Sequence, residues 1–405
     1  MARAHASVSP EALDGQDMRV MLFLKGFGPG GVERIALRLG DGLRRTGCDL
    51  TVIVAAETGP MDNPLGQACL VAQPWPVIGM RWPLLRLAYR LWREIRRAPP
   101  AILFCPGNAY TIVVVLLKLL LGRDCPPIIA KISNDLQRRD LPRAIRPLYQ
   151  LWLWVQGRLI DHFATLSLPM SEEVMRHMRV GPERLHVVPN PVLDDVDVGS
   201  HRKQSRCCRA GRRFVAVGRL ERQKNYPAML RAFAVGARKD DRLTIFGEGS
   251  ERDALVALAA SLDIGDRVDM PGHCPDLGVR LGAYDILLLS SVYEGLPGAV
   301  VEALAAGLGV IATRCSVSMA DLLDQGALGI LTECGDESGF ALAIRTLEPG
   351  QDLARARRKA SHYTLEAAVP AYAALFDHVV AQRQARSRVT RQPFFLRSAT
   401  SVRPV

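Results

Sequence analysis

The stretch Gly218-Arg219-Leu220-Glu221-Arg222-Gln223-Lys224-Asn225 lies between an apolar run of strand length, Phe214–Val217, and a helical pattern. A run, a loop and a helix in this order predict one unit of a parallel α/β sheet. Open sheets of this kind bind ligands at the carboxyl ends of their strands, so Arg219 and Lys224 are expected at a binding edge. A guanidinium and an ammonium placed there suit a diphosphate. A solvated basic turn is the alternative, and it is slightly favoured when the stretch is taken alone.

Both halves of the chain alternate between strand and helix patterns. In the second half, the further apolar runs of strand length are Leu243–Phe246, Val268–Met270, Ile286–Leu289 and Val310–Ala312. In the first half, the corresponding runs are Met18–Leu24, Leu50–Ala55, Ile102–Phe104, Ile128–Ile132 and Phe163–Leu166. Helical periodicity separates these runs, and this alternation predicts an α/β chain with two parallel sheets.

Changes in composition predict where the parts of the chain begin and end. The predicted parts are a disordered N-terminus at 1–17, a first Rossmann-like domain at 18–193, a linker at 194–213, a second Rossmann-like domain at 214–363, a C-terminal helix at 364–384 and a basic tail at 385–405.

Two carboxylates lie eight residues apart in the second half. Glu294 is predicted in a Gly- and Pro-rich loop that contains Leu296, and Glu302 in the helix that begins near Gly298. Such a loop lets the backbone approach a ligand closely. Glu302 stands between apolar residues, where an unpaired carboxylate is costly, so a ligand or partner is expected beside it. Surface charge is the alternative for a pair of glutamates at this spacing.

The loop Gly26-Phe27-Gly28-Pro29-Gly30-Gly31 follows the first strand and precedes a helix. Its backbone amides and the helix dipole could hold a phosphate. Gly26, Gly28 and Gly31 also fit the dinucleotide pattern G-x-G-x-x-G, with Glu57 as a ribose acceptor, so an NAD-dependent oxidoreductase is a rival hypothesis. A glycine-rich turn without a ligand is a further alternative.

The combined motifs resemble glycosyltransferase family 4. This family contains retaining enzymes of the GT-B fold, in which two Rossmann-like domains face each other across a cleft and a C-terminal helix returns to the N-terminal domain. The resemblance covers about residues 18–380, and the matching elements are Gly30-Gly31, Val188-Pro189-Asn190-Pro191, Gly218-Arg219, Lys224-Asn225, Phe246-Gly247-Glu248-Gly249, Pro271-Gly272, Glu294 and Glu302.

The resemblance implies a role for each residue of the donor site. Arg219 and Lys224 would hold the donor diphosphate, Glu302 the ribose and Glu294 the transferred sugar, and the base would be read by backbone near His273. Glu294, Arg219 and Lys224 are therefore the expected catalytic residues. The expected donor-binding residues are Gly30, Gly31, Arg219, Lys224, His273, Glu294, Leu296, Gly298 and Glu302.

Three loops depart from the family pattern, and they limit what the resemblance implies about the acceptor and the donor sugar. Many relatives have a His near the acceptor, whereas Cys105-Pro106-Gly107-Asn108 and Ser133-Asn134-Asp135 contain none. The acceptor candidates are therefore Asn108, Asn134 and Asp135. The loop Cys315–Met319 lacks the family's usual Pro and Gly residues, so it does not predict the donor sugar.

The net charge of the chain limits the classes of binding partner that are expected. A net charge of +11 suits anionic partners, namely acidic lipid, phosphorylated small molecules or nucleic acid. Nucleic acid is not expected, because no recognised module for reading it is present.

Nine cysteines without a CxxC pair or zinc spacing indicate a reduced cytosolic protein, and residues 1–17 lack a signal peptide's apolar core. Asp195-Val196-Asp197 matches a metal-binding DxD pattern but lies in the predicted linker, so neither a metal nor another cofactor is expected.

Two Trp-containing stretches bear on membrane contact. Residues 81–97 predict an amphipathic helix that either lies on anionic lipid or packs on the first domain with a solvated arginine face. The second stretch, Leu148–Leu159, is mostly apolar and is expected in the core.

The leading hypothesis is a cytoplasmic transferase, peripheral to the membrane if residues 81–97 bind lipid. It would move a sugar from a UDP- or GDP-sugar donor to a glycan or lipid-linked acceptor in cell-surface polysaccharide or glycolipid synthesis. A catalytically weak subunit that binds nucleotide-sugar for a partner enzyme is the second hypothesis. The oxidoreductase is the third, and a sugar-nucleotide epimerase is a weaker fourth.

Overall fold

The computed structural model describes residues 18–28, 30–56, 58–59, 61, 63–71, 83–137, 141–194, 211–274, 277–350 and 352–391. The predicted disordered N-terminus, residues 195–210 of the predicted linker and residues 392–405 of the predicted tail lie outside these ranges. Within them the strands are β1 (Val20–Leu24), β2 (Leu50–Val54), β3 (Cys69–Val71), β4 (Ile102–Cys105), β5 (Ile128–Lys131), β6 (His162–Thr165), β7 (Leu185–Val187), β8 (Arg213–Val217), β9 (Arg242–Phe246), β10 (Val268–Gly272), β11 (Ile286–Leu289), β12 (Gly309–Thr313) and β13 (Ile330–Thr332).

The α-helices of the same ranges connect these strands. They are α1 (Gly31–Arg45), α2 (Pro83–Arg97), α3 (Thr111–Leu121), α4 (Arg146–Leu159), α5 (Leu168–Met178), α6 (Tyr226–Gly236), α7 (Arg252–Ser261), α8 (Leu277–Leu281), α9 (Gly298–Ala306), α10 (Met319–Leu322), α11 (Glu337–Thr346), α12 (Leu353–Ser361) and α13 (Leu365–Arg391).

The strands form two parallel sheets, as the alternating pattern predicts. The first has the order β3-β2-β1-β4-β5-β6-β7 and the second β10-β9-β8-β11-β12-β13. The central strands are apolar and fully buried, which is typical of parallel sheets covered on both faces. In the first sheet, the chain adds β2 and then β3 on one side of β1, and after β3 it crosses over to add β4 to β7 on the other side. Right-handed crossovers therefore put α1 on one face and α2 to α5 on the other.

Three strands were not predicted from the sequence. β3, β7 and β13 each have three residues, and each lies at the edge of its sheet. Such short strands carry too few residues for a period-2 pattern to appear, and at an edge only one neighbour supplies hydrogen bonds. Their positions are set by the neighbouring strands rather than by their own sequences.

The C-terminal helix returns to the first sheet. Tyr372 and Phe376 of α13 meet the ring of Phe104 on β4 edge-to-face, with ring centroids 5.6 and 5.8 Å apart. The helix runs through Pro370, which is exposed, as is Glu366 one turn earlier, so the proline interrupts the helical hydrogen bonds on the outer side of the helix. It also continues past the predicted end at 384 because no Gly or Pro occurs before Pro393.

The two Trp-containing stretches differ from the simplest expectations. On α2, the apolar side chains Leu87, Leu91 and Ile95 are buried, so this helix is packed on the first domain, and its exposed arginines lie toward its C-terminal end. Its predicted start at residues 81 and 82 lies outside the described residues. The expectation that Leu148–Leu159 is core is wrong for one side of α4, where Leu148 and Leu151 are exposed. In the described part of the chain, no helix combines the length and apolar character needed to cross a membrane.

A histidine pair lies where the far edge of the first sheet meets α13. His162 Nδ1 on β6 and His186 Nε2 on β7 are 3.1 Å apart, and the His378 ring of α13 packs on that of His186. Burial lowers the pKa of His162 to about 4, with smaller contributions from His186, Arg184 and His378 that outweigh the opposing Asp161. Burial likewise lowers the pKa of His186 to about 4, assisted by His378. The fold therefore favours the neutral pair, in which one ring donates and the other accepts.

This pair predicts acid destabilisation in a defined window. The neutral rings stabilise the fold fully above the unfolded pKa of about 6.5, and this contribution is lost as the pH falls from there toward 4. Between pH 7.5 and 5, the melting temperature of the wild type should fall at least about 2–4 °C more than that of a His162→Gln, His186→Gln double variant. Differential scanning calorimetry measures both. The exposed His362→Gln variant is the control, and an identical pH slope in the wild type and the double variant would contradict the account.

Candidate active site

Lys224 and Glu294 form an ion pair at the carboxyl edge of the second sheet. Lys224 Nζ lies 2.6 Å from Glu294 Oε1, and Ser291 Oγ donates to the same oxygen over 2.9 Å. The two charged side chains are only 17% and 13% exposed, so water screens their attraction weakly. The structure therefore brings together a cation and a carboxylate that lie 70 residues apart in the sequence.

Gly218 makes this pairing possible. Its φ is +152°, and a Cβ built on it would lie 2.6 Å from Lys224 Cε. The lysine stem therefore passes directly over the glycine, where another side chain would block it. Gly247, in the loop after β9, also permits a close approach, because a Cβ there would overlap the carbonyl oxygen of Gly218. The loops that follow β8 and β9 thus pack backbone to backbone beneath the lysine.

Glu302 and Arg34 form a second ion pair, which joins the two halves of the chain. Arg34 lies in the first turn of α1, and its Nη2 is 3.3 Å from Glu302 Oε1 on α9. The glutamate side chain is 15% exposed and the arginine 50%. Because Glu302 is flanked by the fully buried Val301 and Ala303, the sequence expectation of a partner for this carboxylate is met by Arg34.

Arg34 is the site residue that the sequence analysis missed. It belongs to the run Gly30-Gly31-Val32-Glu33-Arg34, of which only the glycines were selected. The available signal was its position in the first helical turn after the glycine-rich loop, which places a long cation at the same sheet edge as the loop itself.

The acceptor candidates lie at the seam between the two halves. Asn134 pairs with Gly295 as an isolated antiparallel bridge, and a Cβ built on Gly295 would overlap the carbonyl oxygen of Ser133. The Asn108 side chain accepts from Ser133 N over 2.8 Å and so fixes this loop from below. Glu294 and the three acceptor candidates therefore converge on one region, which the sequence order does not show.

The unusual loop Cys315–Met319 also lies at this seam. Asp135 accepts from Ser316 Oγ over 3.2 Å and from Val317 N over 3.3 Å. Ser167 Oγ and Ser318 Oγ are 2.7 Å apart and share a hydrogen bond. The serines that replace the expected Pro and Gly thus bind the first half of the chain. In this arrangement the Asp135 carboxylate connects the two halves.

The remaining donor candidates divide into exposed groups and backbone positions. Arg219 and His273 are exposed, and neither side chain has a hydrogen bond or ion pair with the described residues. Leu296 is buried, whereas a Cβ on Gly298 would lie 3.6 Å from Arg34 Nη2, so Gly298 faces the opposite half. Gly30 caps α1 and Gly31 is its first residue, with open space around the latter.

The glycine-rich loop after β1 is covered by its own neighbours. Phe27 N donates to the carbonyl of Thr58, and a Cβ on Gly26 would lie 2.8 Å from the carbonyl oxygens of Ala56 and Thr58. Packing therefore explains Gly26 without a dinucleotide. Glu57, the proposed ribose acceptor of the oxidoreductase hypothesis, lies outside the described residues, as do Asp195 and Asp197.

Two buried cysteines, Cys315 and Cys105, remain neutral thiols. Burial raises the pKa of Cys315 well above its ordinary value, and the nearby Glu294 raises it further. Burial also raises the pKa of Cys105 to about 12, despite an opposing hydrogen bond to Gly107. Since the thiolate is the nucleophilic form, neither cysteine is suited to covalent catalysis.

Both halves match family models. Residues 29–195 match the model described as Glycosyltransferase Family 4, and residues 200–363 match Glycosyl transferases group 1. The chain belongs to glycosyltransferase family 4. The predicted family and the GT-B fold class are both confirmed.

Individual relatives match parts of this family 4 chain. An N-acetylgalactosaminyltransferase of Campylobacter jejuni that acts on a diphospho-undecaprenol glycan is 26% identical, over 48% of this chain and 53% of its own. The lipopolysaccharide core biosynthesis glycosyltransferase LpsE of Rhizobium meliloti is 30% identical, over 37% and 44%. The chain thus spans about half the length of these curated relatives. The crystal structure of Anabaena HepE with UDP and glucose shares the fold, with a TM-score of 0.67, 16% identity and coverage of 89% and 99%.

The backbone contact at Gly295 gives a direct prediction. Gly295→Ala places a methyl group against the carbonyl of Ser133, so the two halves must separate or strain at a cost of about 1–3 kcal/mol. We expect a larger radius of gyration in small-angle X-ray scattering or a lower melting temperature. Gly278→Ala is the matched control, because a Cβ there meets nothing within 4 Å. Wild-type scattering and melting by Gly295→Ala would show that the seam is not closed in solution.

Proposed function

We propose that the chain is a retaining, metal-independent transferase. It would move a sugar from a nucleotide-diphosphate sugar, UDP- or GDP-linked, to a glycan or lipid-linked acceptor. The observation that carries the proposal is the Lys224–Glu294 ion pair at the carboxyl edge of the second sheet, together with the Arg34–Glu302 pair that joins the two halves. Two cations and two carboxylates at one seam match the chemistry of a diphosphate attached to two hydroxyl-bearing rings.

Binding of the donor would exchange partners within the site. The diphosphate would take Lys224 and the exposed Arg219 as its cations, and Glu294 would then accept hydrogen bonds from the hydroxyls of the transferred sugar. Glu302 would bind the ribose diol, and Arg34 would turn toward the phosphates. In the free protein the two ion pairs prevent a low-dielectric site from holding unpaired charges.

The proposed reaction depends on stabilisation of the leaving group. The acceptor oxygen bonds to the anomeric carbon while the bond to the β-phosphate oxygen breaks, and the acceptor proton passes to the departing diphosphate. Negative charge grows on that diphosphate in the transition state, where fixed cations bind it more strongly than in the ground state. In this arrangement Glu294 would be held by Ser291 and by the sugar hydroxyls, which favours attack from the leaving-group face over a covalent intermediate.

Relatives support the substrate classes. HepE has been crystallised with UDP and glucose, which favours a uridine donor, and the Campylobacter relative acts on a lipid diphosphate. Together with the Rhizobium lipopolysaccharide enzyme, they support a role in cell-surface polysaccharide or glycolipid synthesis. We place the reaction in the cytoplasm, at the inner face of the membrane, with no metal or other cofactor.

Lys224 is expected to act mainly in the transition state. Lys224→Ala should lower the rate of transfer, or of donor hydrolysis, about a hundredfold, the equivalent of ~3 kcal/mol. Arg222→Ala, which removes an exposed cation from the same turn, is the matched control and should keep the wild-type rate. Release of nucleoside diphosphate by the purified chain measures both. A wild-type rate for Lys224→Ala would contradict the proposal, and a purified wild type without any turnover would favour a catalytically weak binding subunit.

The stereochemistry and the metal requirement form a separate prediction. With an α-linked donor, proton NMR of the first product should show an α linkage, because attack from the leaving-group face retains the configuration. The rate should be unchanged in EDTA, because Arg219 and Lys224 supply the charge that a divalent cation would otherwise supply. A β-linked product or loss of the activity in EDTA would reject this mechanism.

A further inference from the structure

One side of α4 is apolar and exposed. Leu148, Leu151 and Trp154 are 67%, 55% and 37% exposed, and they recur every three residues, so they form a stripe along one side of the helix. Apolar side chains scattered singly on a surface are ordinary, but a continuous stripe that includes a tryptophan marks an interaction site. We call these three residues the α4 stripe.

Packing fixes the direction in which the α4 stripe points. On the opposite side of the helix, Leu153 and Gln156 are buried. A Cβ built on Gly157 would overlap the carbonyl oxygen of Met178, so α4 lies directly against the end of α5. Because that contact needs a glycine, the helix cannot rotate to bury the stripe.

Neighbouring helices extend the apolar surface. α3 packs between α2 and α4 on the same face of the first sheet. Further exposed apolar side chains of this layer are Ile112, Leu119, Leu120, Ile145 and Leu168.

The charge around the stripe is positive. Residues 141–160 contain Arg143, Arg146 and Arg158 and no acidic residue. The Arg158 guanidinium lies 5.4 Å from the centre of the Trp154 ring, so an aromatic and a cation share one end of the stripe. Tryptophan and arginine together are typical of segments at the boundary between water and lipid headgroups, and arginines there are attracted to anionic lipid.

We propose that the α4 stripe and its arginines dock the protein onto an anionic lipid bilayer. With 14 residues, α4 is shorter than the roughly 20 that a membrane span needs, so it would lie in the headgroup region rather than cross the bilayer. Because α4 returns the chain from the carboxyl end of β5 to the start of β6, its first turn lies toward the sheet edge that carries the acceptor candidates. Its use for a lipid-linked acceptor rests on the proposed function, whereas vesicle binding does not.

Vesicle co-sedimentation tests the docking surface. The wild type should bind vesicles of phosphatidylglycerol and phosphatidylcholine and bind pure phosphatidylcholine more weakly. Leu148→Gln, Leu151→Gln should weaken binding at least about tenfold, because it removes both inserted leucines. Val256→Gln, Leu342→Gln is the matched control, because these side chains are 53% and 59% exposed in the second half of the chain. Arg143→Gln, Arg158→Gln should weaken binding about fivefold for each arginine, and only to anionic vesicles.

Three outcomes would overturn the proposal. The first is that the leucine variant binds vesicles like the wild type, and the second is that the wild type binds both lipid compositions equally. The third is that the wild type does not bind vesicles but forms a dimer in ultracentrifugation, and the leucine substitutions dissociate that dimer. The third outcome would assign the stripe to a second copy of the chain. Titration of the same samples with UDP and with GDP separates the two proposals, since the leucine variant should bind the nucleotide like the wild type. Absence of binding of both nucleotides in every sample would count against the proposed function and leave the vesicle result standing.

Discussion

The site depends on one electrostatic constraint, which is that Lys224 and Glu294 neutralise each other in a nearly buried position. Neither charge could remain there alone without a large desolvation cost, and a buried pair that loses one partner is destabilised by about 3–5 kcal/mol. Gly218 leaves room for the lysine side chain to reach Glu294, and Gly247 lets the loop after β9 pack against the backbone of Gly218. A ligand that offers both an anion and hydroxyl groups can replace each partner of the pair at once.

The seam between the two halves is also held by backbone and polar contacts. The backbone of Gly295 lies against Ser133, Asp135 binds Ser316, and Arg34 reaches Glu302 across the same boundary. These contacts use backbone and polar groups, and they accompany a buried apolar cluster that contains side chains of both halves. The α4 stripe lies on the layer of helices beside that seam. The protein therefore combines a polar cleft with an apolar, basic outer face.

Sequence patterns predicted the two parallel sheets, because short apolar runs that alternate with helical periodicity are typical of strands buried on both faces. They failed for β3, β7 and β13, whose three residues are held by neighbours. Lys224 and Glu294 were predicted because each follows a strand at the carboxyl edge. Arg34 was missed because its only signal, a position in the first helical turn after the glycine-rich loop, becomes specific once the carboxylate that it pairs with is known. The exposed side of α4 was misjudged for a related reason, since an apolar helix looks the same whether it faces a core or a lipid.

The most direct test is a crystal structure of the chain with a bound nucleoside diphosphate. Our account predicts phosphate oxygens within about 3 Å of Lys224 Nζ and the Arg219 guanidinium, with the ribose hydroxyls on the Glu302 carboxylate. The two ion pairs of the free protein should be exchanged for contacts to the ligand. A nucleotide bound elsewhere, with the Lys224–Glu294 and Arg34–Glu302 pairs intact, would contradict it.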